Sequence, residues 1–317
     1  MLEFLVALAI TWAGLPLVAV FLRWRNIVDV PNERSSHTQP IHRGGGLACA
    51  GGVLGGFLAS QFSGDHPVVW NLVVVALALA VVGFVDDVGT LPTSPRLVAQ
   101  VLGGGTAGWF VGRDVRWLLL GIVVIAVTVN AVNFMDGIDG ITGLTVGIWG
   151  VTAALLAAVH GAYTLLPIGA VAAGAALGFL PANLPSARLF LGDIGSYLLG
   201  GLVGIGIMVG WRDGIPVIAL AAPLSVYLAD TGFTIVRRAL RRESLASAHR
   251  EHVYQRLVST AGLPHPAVAA FAATTAAVIA ACWASGVVLL AVPVTLALLL
   301  TYLCSVKIVS VLRKFTI

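Results

Sequence analysis

Six short stretches of this chain carry side chains able to do polar chemistry, although the sequence around them is apolar. In FVDDVGT, Asp86 and Asp87 are adjacent. Neighbouring carboxylates at the edge of an apolar run repel each other and lose hydration, so a divalent cation or an arginine is expected beside them. TSPRLVAQ puts Arg96 and Gln100 four residues apart, on one helix face, where Arg96 could hold a phosphate or neutralise the aspartates. Ser94 before Pro95 reads as an N-cap with proline at the first helical position. NAVNFMDGIDGITG sets Asn130 and Asn133 one turn apart, then Asp136 and Asp139 among glycines. Amides and carboxylates at a helix-to-turn junction suit a hard cation that keeps part of its water, or the edge of a nucleobase. RLFLGDIGSYLLG places Asp193 after Gly192, with Phe190 three residues earlier as a face for a base. Capping of a helix or turn is the plain alternative for each of these acids.

Two basic stretches complete the set. SAHREHVYQRL holds His249, Arg250, His252 and Gln255. Arg and His opposite an acidic cation site read as a diphosphate clamp, with lipid headgroup contact as the alternative. DVPNERSSHTQPIHRGGGLA holds Arg34, His37, His42 and Arg43 before Gly44-Gly45-Gly46. The N–H groups of such a run at a helix start can cradle an anion; a flexible loop is the alternative.

The rest of the chain supplies the frame for these residues. Of 317 residues, 58% are hydrophobic and 10% charged, and mean hydropathy is +0.98. That composition excludes an ordinary soluble domain and fits a polytopic membrane protein. Cys49, Cys282 and Cys304 all lie in apolar runs, which fits neither a disulfide framework nor a zinc site. Apolar stretches near the roughly 20 residues that cross a bilayer fall at 2–22, 45–62, 67–85, 95–112, 117–134, 141–160, 162–181, 195–211, 214–236, 266–284 and 286–307. That is about eleven helices, or ten if 141–181 divides differently. The first has no basic segment before it and is expected to be a retained helix, not a cleaved signal peptide. No repeat and no separate soluble domain is visible, so residues 1–317 are expected to form one integral membrane domain.

Basic residues orient the spans. With the N-terminus outside, loops 23–44, 86–95, 135–140, 182–194, 237–265 and the C-terminal tail lie on the cytoplasmic side. With the adjoining helix ends they hold fifteen of the eighteen Lys and Arg, leaving Arg113, Arg116 and Arg212 outside. This is the positive-inside asymmetry. The acids Asp29, Glu33, Asp86, Asp87, Asp136, Asp139, Asp193, Glu243 and Glu251 collect on the same side, which that rule does not require. The expectation is an all-α polytopic membrane protein with one polar site, built from several loops, on its cytoplasmic face.

Asp86-Asp87, Asn130-x-x-Asn133-x-x-Asp136-Gly-x-Asp139-Gly, Phe190-x-Gly192-Asp193-x-Gly195-Ser196 and the His/Arg loop, in this order, resemble the polyprenyl-phosphate N-acetylhexosamine-1-phosphate transferases, glycosyltransferase family 4. The likeness covers nearly the whole chain. DVPNERSSHTQPIHRGGGLA and AHREHVYQRL look most like the branch that initiates O-antigen synthesis. The resemblance implies a multi-pass enzyme of the inner (cytoplasmic) membrane. It would move N-acetylhexosamine 1-phosphate from a UDP-N-acetylhexosamine to undecaprenyl phosphate, releasing UMP. It implies magnesium, with manganese as a substitute, held by Asp193 and Asn133. Asp86 and Asp87 become the catalytic pair, one of them deprotonating or positioning the lipid phosphate or acting as a covalent nucleophile. Asn130, Asp136 and Asp139 would shape the nucleotide-sugar site, with Phe190 stacking on uracil. Arg250, His252, Arg96 and Gly45 would bind phosphate. No nucleic acid partner is expected, and a homodimer is left open.

Two departures narrow the branch. The peptidoglycan enzymes carry consecutive histidines in the last cytoplasmic loop and a lysine soon after the acidic pair. Here those places read His249-Arg250-Glu251-His252 and Val88-Gly89-Thr90, which argues against a muramoyl-pentapeptide substrate. The sugar stays open among N-acetylglucosamine, N-acetylfucosamine and N-acetylquinovosamine. The main competing reading is a secondary transporter with an ion site at the cytoplasmic face. Transporters more often bind ions near the midplane, between repeated halves.

Overall fold

The computed structural model describes residues 1–31, 39–63, 69–244 and 250–314. Each expected apolar stretch is helical: α1 (Leu2–Trp24), α2 (Gly46–Ser63), α3 (Trp70–Gly89), α4 (Thr93–Gly112), α5 (Val115–Met135), α6 (Ile141–His160), α7 (Leu165–Asn183), α8 (Gly192–Arg212), α9 (Val217–Ala221) continuing into α10 (Ser225–Leu240), α12 (His265–Ala284) and α13 (Val288–Lys314). The short α11 (Val253–Ser259) lies in the basic loop. Hydrocarbon offers backbone groups no partners, so a chain this apolar must bond them within helices. Among the described residues nine helices are long and apolar enough to cross a membrane, with Val217–Leu240 taken as one. α2 is a shorter apolar helix, and α4 is long enough but less apolar. The protein is therefore an all-α, multi-pass membrane protein.

α8 forms the axis. Its apolar window is 94% buried, against 22% for α1 and 17% for α13, which lie at the periphery. Helices α3, α5, α2 and α7 pack around α8, and α4 packs on α5. Pro223 lacks the N–H a continuous helix needs, and the chain makes a 3-10 turn at Ala222–Leu224 between α9 and α10. Two-residue strands β1 (Val28–Asp29) and β2 (Ile41–His42) pair antiparallel, Val28 opposite His42. One expected boundary shifts. α4 starts at Thr93 after Pro92, so Ser94 is inside the helix; Pro95 lies in the first turn, where its missing N–H breaks no bond.

Candidate active site

α3 brings the acidic pair to the start of α8. Neighbours on a helix point about 100° apart, and this separates the two aspartates. Asp87 turns to α8: its Oδ1 accepts the N–H of Asp193 at 3.0 Å and its Oδ2 that of Ile194 at 3.1 Å. A carboxylate from another helix thus satisfies two free N–H groups at the positive end of α8. Gly192 makes room, since its φ is +77° and a Cβ there would collide with Asp87 Oδ2. Arg43 adds a bond from Nη2 to the Asp87 carbonyl at 2.8 Å. Asp87 is therefore committed to joining α3, α8 and the loop after β2.

Asp86 turns the other way. Its Oδ2 pairs with Arg96 Nη1 at 3.0 Å, and its Oδ1 accepts the Leu91 N–H at 2.6 Å. Its carboxyl also lies within hydrogen-bonding reach of Asp193. Asp193 Oδ1 accepts from Asn133 Nδ2 at 2.6 Å, and the same amide donates to Ser196 Oγ at 3.0 Å. Tyr197, one turn along α8, reaches Arg96. Two carboxylates in contact against one guanidinium leave negative charge in a largely buried place.

Beside this centre lies a cleft of about 740 Å3 between α4, α5, α8, α10 and α11. Its polar lining includes Arg96, Gln100, Asn130, Asn133, Tyr197, Arg238, His252 and Gln255. Gln100 Oε1 accepts from Asn130 Nδ2 at 2.6 Å. Leu97, Val127, Phe134 and Ile235 line it too, and all four are exposed on the helix surface. In a bilayer those positions meet acyl chains. The cleft suits an amphiphile with an anionic head and a long apolar tail.

The basic loop closes this cleft on a buried anchor, Asp230 of α10. His252 Nδ1 lies 3.1 Å from Asp230 Oδ1, which also accepts the Val253 N–H at 2.9 Å. Its Oδ2 accepts the Tyr254 N–H at 3.2 Å and the Tyr302 hydroxyl at 2.9 Å. Tyr254 Oη donates to the Phe134 carbonyl at 2.9 Å, fastening α11 to the end of α5. Glu251 bonds Arg237 at 2.6 Å and Arg238 at 3.3 Å. Partial burial would raise its pKa, but Arg237 and then Arg238 and Arg241 outweigh that and hold it below the usual glutamate value.

The family model for glycosyl transferase family 4 matches residues 69–210, which include α3, the acidic pair, α5 and α8. Over that stretch the chain is similar to this family. A probable undecaprenyl-phosphate N-acetylglucosaminyl 1-phosphate transferase of Bacillus subtilis is 27% identical over 75% of this chain and 71% of its own length. A decaprenyl-phosphate N-acetylglucosaminephosphotransferase of Mycobacterium leprae is 29% identical over 80% and 75%. An undecaprenyl-phosphate alpha-N-acetylglucosaminyl 1-phosphate transferase of Thermotoga maritima is 26% identical over 76% and 77%.

Within the structure the expected site residues separate into groups. Asp86, Asp193, Asn133 and Arg96 form the centre, and Asn130 and His252 join Arg96 in the cleft. Asn130 thus stands with the lipid-facing wall, not with Asp136 and Asp139, which do not line the cleft. Asp139 is tied up: Oδ2 accepts the Ala187 N–H at 3.1 Å and Oδ1 lies 3.3 Å from His265 Nδ1. It fastens the chain before α8 to the start of α12. Asp136, the C-cap of α5, has its pKa pushed up to about 8. Burial is the main cause, reinforced by Asp193, Asp87 and Asp139 and opposed by a hydrogen bond to Thr142.

Gly45 is a correction. Its N–H donates to the Phe190 carbonyl at 2.8 Å, as Gly44 does at 3.2 Å, while Gly46 donates to Leu191 at 2.8 Å. The glycine run holds the chain before α8 and has no N–H left at Gly45 for phosphate. Asp87, expected in the catalytic pair, accepts a backbone N–H at each of its oxygens and faces the start of α8. As placed, Asn133 turns its amide nitrogen, not its oxygen, to Asp193. Arg250 is half-buried and does not line the cleft. Arg34, His37 and His249 lie outside the described residues. Asp230, Tyr197 and Arg238 were missed; an ionisable residue inside an apolar span, as Asp230 is, was the available signal.

Proposed function

We propose that this transferase moves N-acetylhexosamine 1-phosphate from a UDP-sugar to undecaprenyl phosphate. An oxygen of the lipid phosphate attacks the phosphorus attached to the sugar. The bond from that phosphorus to the bridging oxygen breaks, UMP leaves, and an undecaprenyl-diphosphate sugar remains. The observation that carries the reading is the cleft, whose apolar wall faces the bilayer and whose polar end meets Arg96 beside Asp86 and Asp193. A polyprenyl tail can stay in hydrocarbon while its phosphate reaches this end. The names of the three relatives favour N-acetylglucosamine as the sugar, and priming of O-antigen as the role rests on the sequence likeness.

Phosphoryl transfer needs positioning and charge neutralisation more than covalent help. Arg96 is placed to hold a lipid phosphate, and Asn130 with Gln100 to fix its neighbours. The donor set at the centre also fits magnesium. Asp86 and Asp193 present hard oxygen ligands in mutual contact. Among the described residues no group of three His, Cys, Asp or Glu converges as an all-protein cage. Magnesium is commonly held by one or two carboxylates with substrate phosphates completing the shell. Asp193 and Asp86 would hold it, and it would supply neutralisation of charge on the diphosphate. On this reading the N-terminus lies outside and the site opens at the cytoplasmic face of the inner membrane, on the side where UDP-sugars are made.

The test is UMP release by the purified protein from UDP-N-acetylglucosamine and its 6-deoxy relatives, with and without undecaprenyl phosphate. Lipid-dependent release supports the transferase, and the best donor names the sugar. Ion-coupled uptake by proteoliposomes without UMP release would support the transporter instead.

A further inference from the structure

A second groove, of about 430 Å3, shares no lining residue with the cleft. One wall is a stripe of α1: Trp12, Pro16, Ala19 and Arg23, spaced by four, three and four residues along one helix face. The other wall is the end of α7 with Arg188 and Leu189, just before α8. Arg23 and Arg188 are its charged residues, and no Asp or Glu lines it. Both arginines are exposed. Each spends one donor on a nearby carbonyl: Arg23 Nε on Ala19 at 3.2 Å and Arg188 Nη2 on Pro181 at 2.7 Å. Neither has a carboxylate partner among the described residues, so both Nη groups of Arg23 and the Nη1 and Nε of Arg188 remain for a ligand. We propose that this groove binds an anionic phospholipid, its phosphate between Arg23 and Arg188 and one acyl chain along α1 to Trp12.

Charge and length both select this occupant. Cations on the flank of a membrane bundle are costly unless an anion meets them, and basic pockets between helices at the headgroup level suit lipid phosphate. A guanidinium fork matches phosphate oxygens in pairs. Arg188 lies five residues before Asp193, so the charged end belongs to the leaflet on the side of the acidic centre. Trp12 and Arg23 are eleven residues apart, roughly 16 Å along a helix. One leaflet of hydrocarbon is about 15 Å thick, so the groove runs the depth of one acyl chain. An undecaprenyl chain is far longer than this. Trp12 is 59% exposed at the deep end and meets the tail. The site serves a resident lipid and requires no turnover, so it stands apart from the transferase reading.

The experiment places the full-length protein in phosphatidylcholine nanodiscs containing phosphatidylglycerol with a photoreactive acyl chain, and maps the cross-links by mass spectrometry. Phosphatidylglycerol is expected to label residues 12–19 about tenfold more than phosphatidylcholine bearing the same chain. Arg23→Gln with Arg188→Gln is expected to bring that labelling down to the phosphatidylcholine level and to remove the rise in Tm that phosphatidylglycerol gives the wild type. Ala19→Trp, which fills the groove and keeps both charges, is expected to lose the labelling too. Lys307→Gln with Arg313→Gln, exposed bases of α13 outside the groove, keeps it. Equal labelling by the two lipids in the wild type overturns the proposal. So does unchanged labelling in the Arg23/Arg188 variant, or an equal loss in the α13 variant. Displacement of the label by equimolar undecaprenyl phosphate would also overturn it and give the groove to the substrate lipid. The wild-type map decides even where a variant fails to fold.

Discussion

Asp87 gives both carboxyl oxygens to the N–H groups that open α8, whereas Asp86 faces Asp193 and Arg96. The two therefore fail differently on substitution. In Asp87→Asn the amide nitrogen meets an N–H instead of accepting it, which costs roughly 1–3 kcal/mol. Its melting temperature is expected to fall, with kcat of the folded enzyme within about tenfold of wild type. Asp86→Asn and Asp193→Asn are expected to lose roughly a thousandfold in kcat with less effect on melting. Equal losses of kcat at all three positions would contradict the division. Asp136 gives a pH signature. Its pKa is about 8 in the fold against an ordinary 3.8, so the folded state binds an extra proton between those values. Stability then falls as pH rises through that window. Asp136→Asn lacks this slope, and its melting temperature, with metal chelated, should gain on wild type from about pH 5 to 8. Parallel melting curves would sink the assignment. The sequence revealed which residue types gather, but not which partner each one takes. That depends on direction around a helix and on groups brought from other helices, as with Asp86 and Asp87.

At the scale of elements, the cleft wall is the feature to challenge. Val127 of α5 lines it and is exposed. On the proposed function, a charge there would meet the apolar tail but not the nucleotide. Val127→Lys is expected to raise KM for undecaprenyl phosphate about tenfold or more while leaving KM for the UDP-sugar near wild type. A parallel rise in both would move the lipid elsewhere. The eleven helical stretches were legible because hydropathy over a membrane-length window is a strong and local signal. Helix ends were less so. α8 is capped by Asp87 from another helix, and α11 by Asp230 through bonds to two of its N–H groups. No local reading of RLFLGDIGSYLLG or SAHREHVYQRL contains those partners.

At the scale of the molecule, loops distant in sequence do meet. The β2 loop binds the chain before α8, Asn133 of α5 binds Asp193, Asp139 holds both Ala187 and His265, and Tyr254 holds Phe134. The charge pattern indicated this convergence, because acids and bases accumulate together on one side of the spans. The side itself can be tested. A single cysteine at Glu243 should react with an impermeant maleimide only in inside-out vesicles, and one at Gly214 only in right-side-out vesicles. The reverse pattern would invert the protein and separate the site from cytoplasmic UDP-sugars.

The most direct test of the central claim is product formation. Purified protein is given UDP-N-acetylglucosamine, undecaprenyl phosphate and magnesium, and the lipid extract is weighed by mass spectrometry. Undecaprenyl-diphosphate N-acetylglucosamine is expected, with its yield abolished by chelation and by Asp193→Asn. The same yield from Asp193→Asn, or none from folded wild type with any UDP-N-acetylhexosamine, would contradict the account.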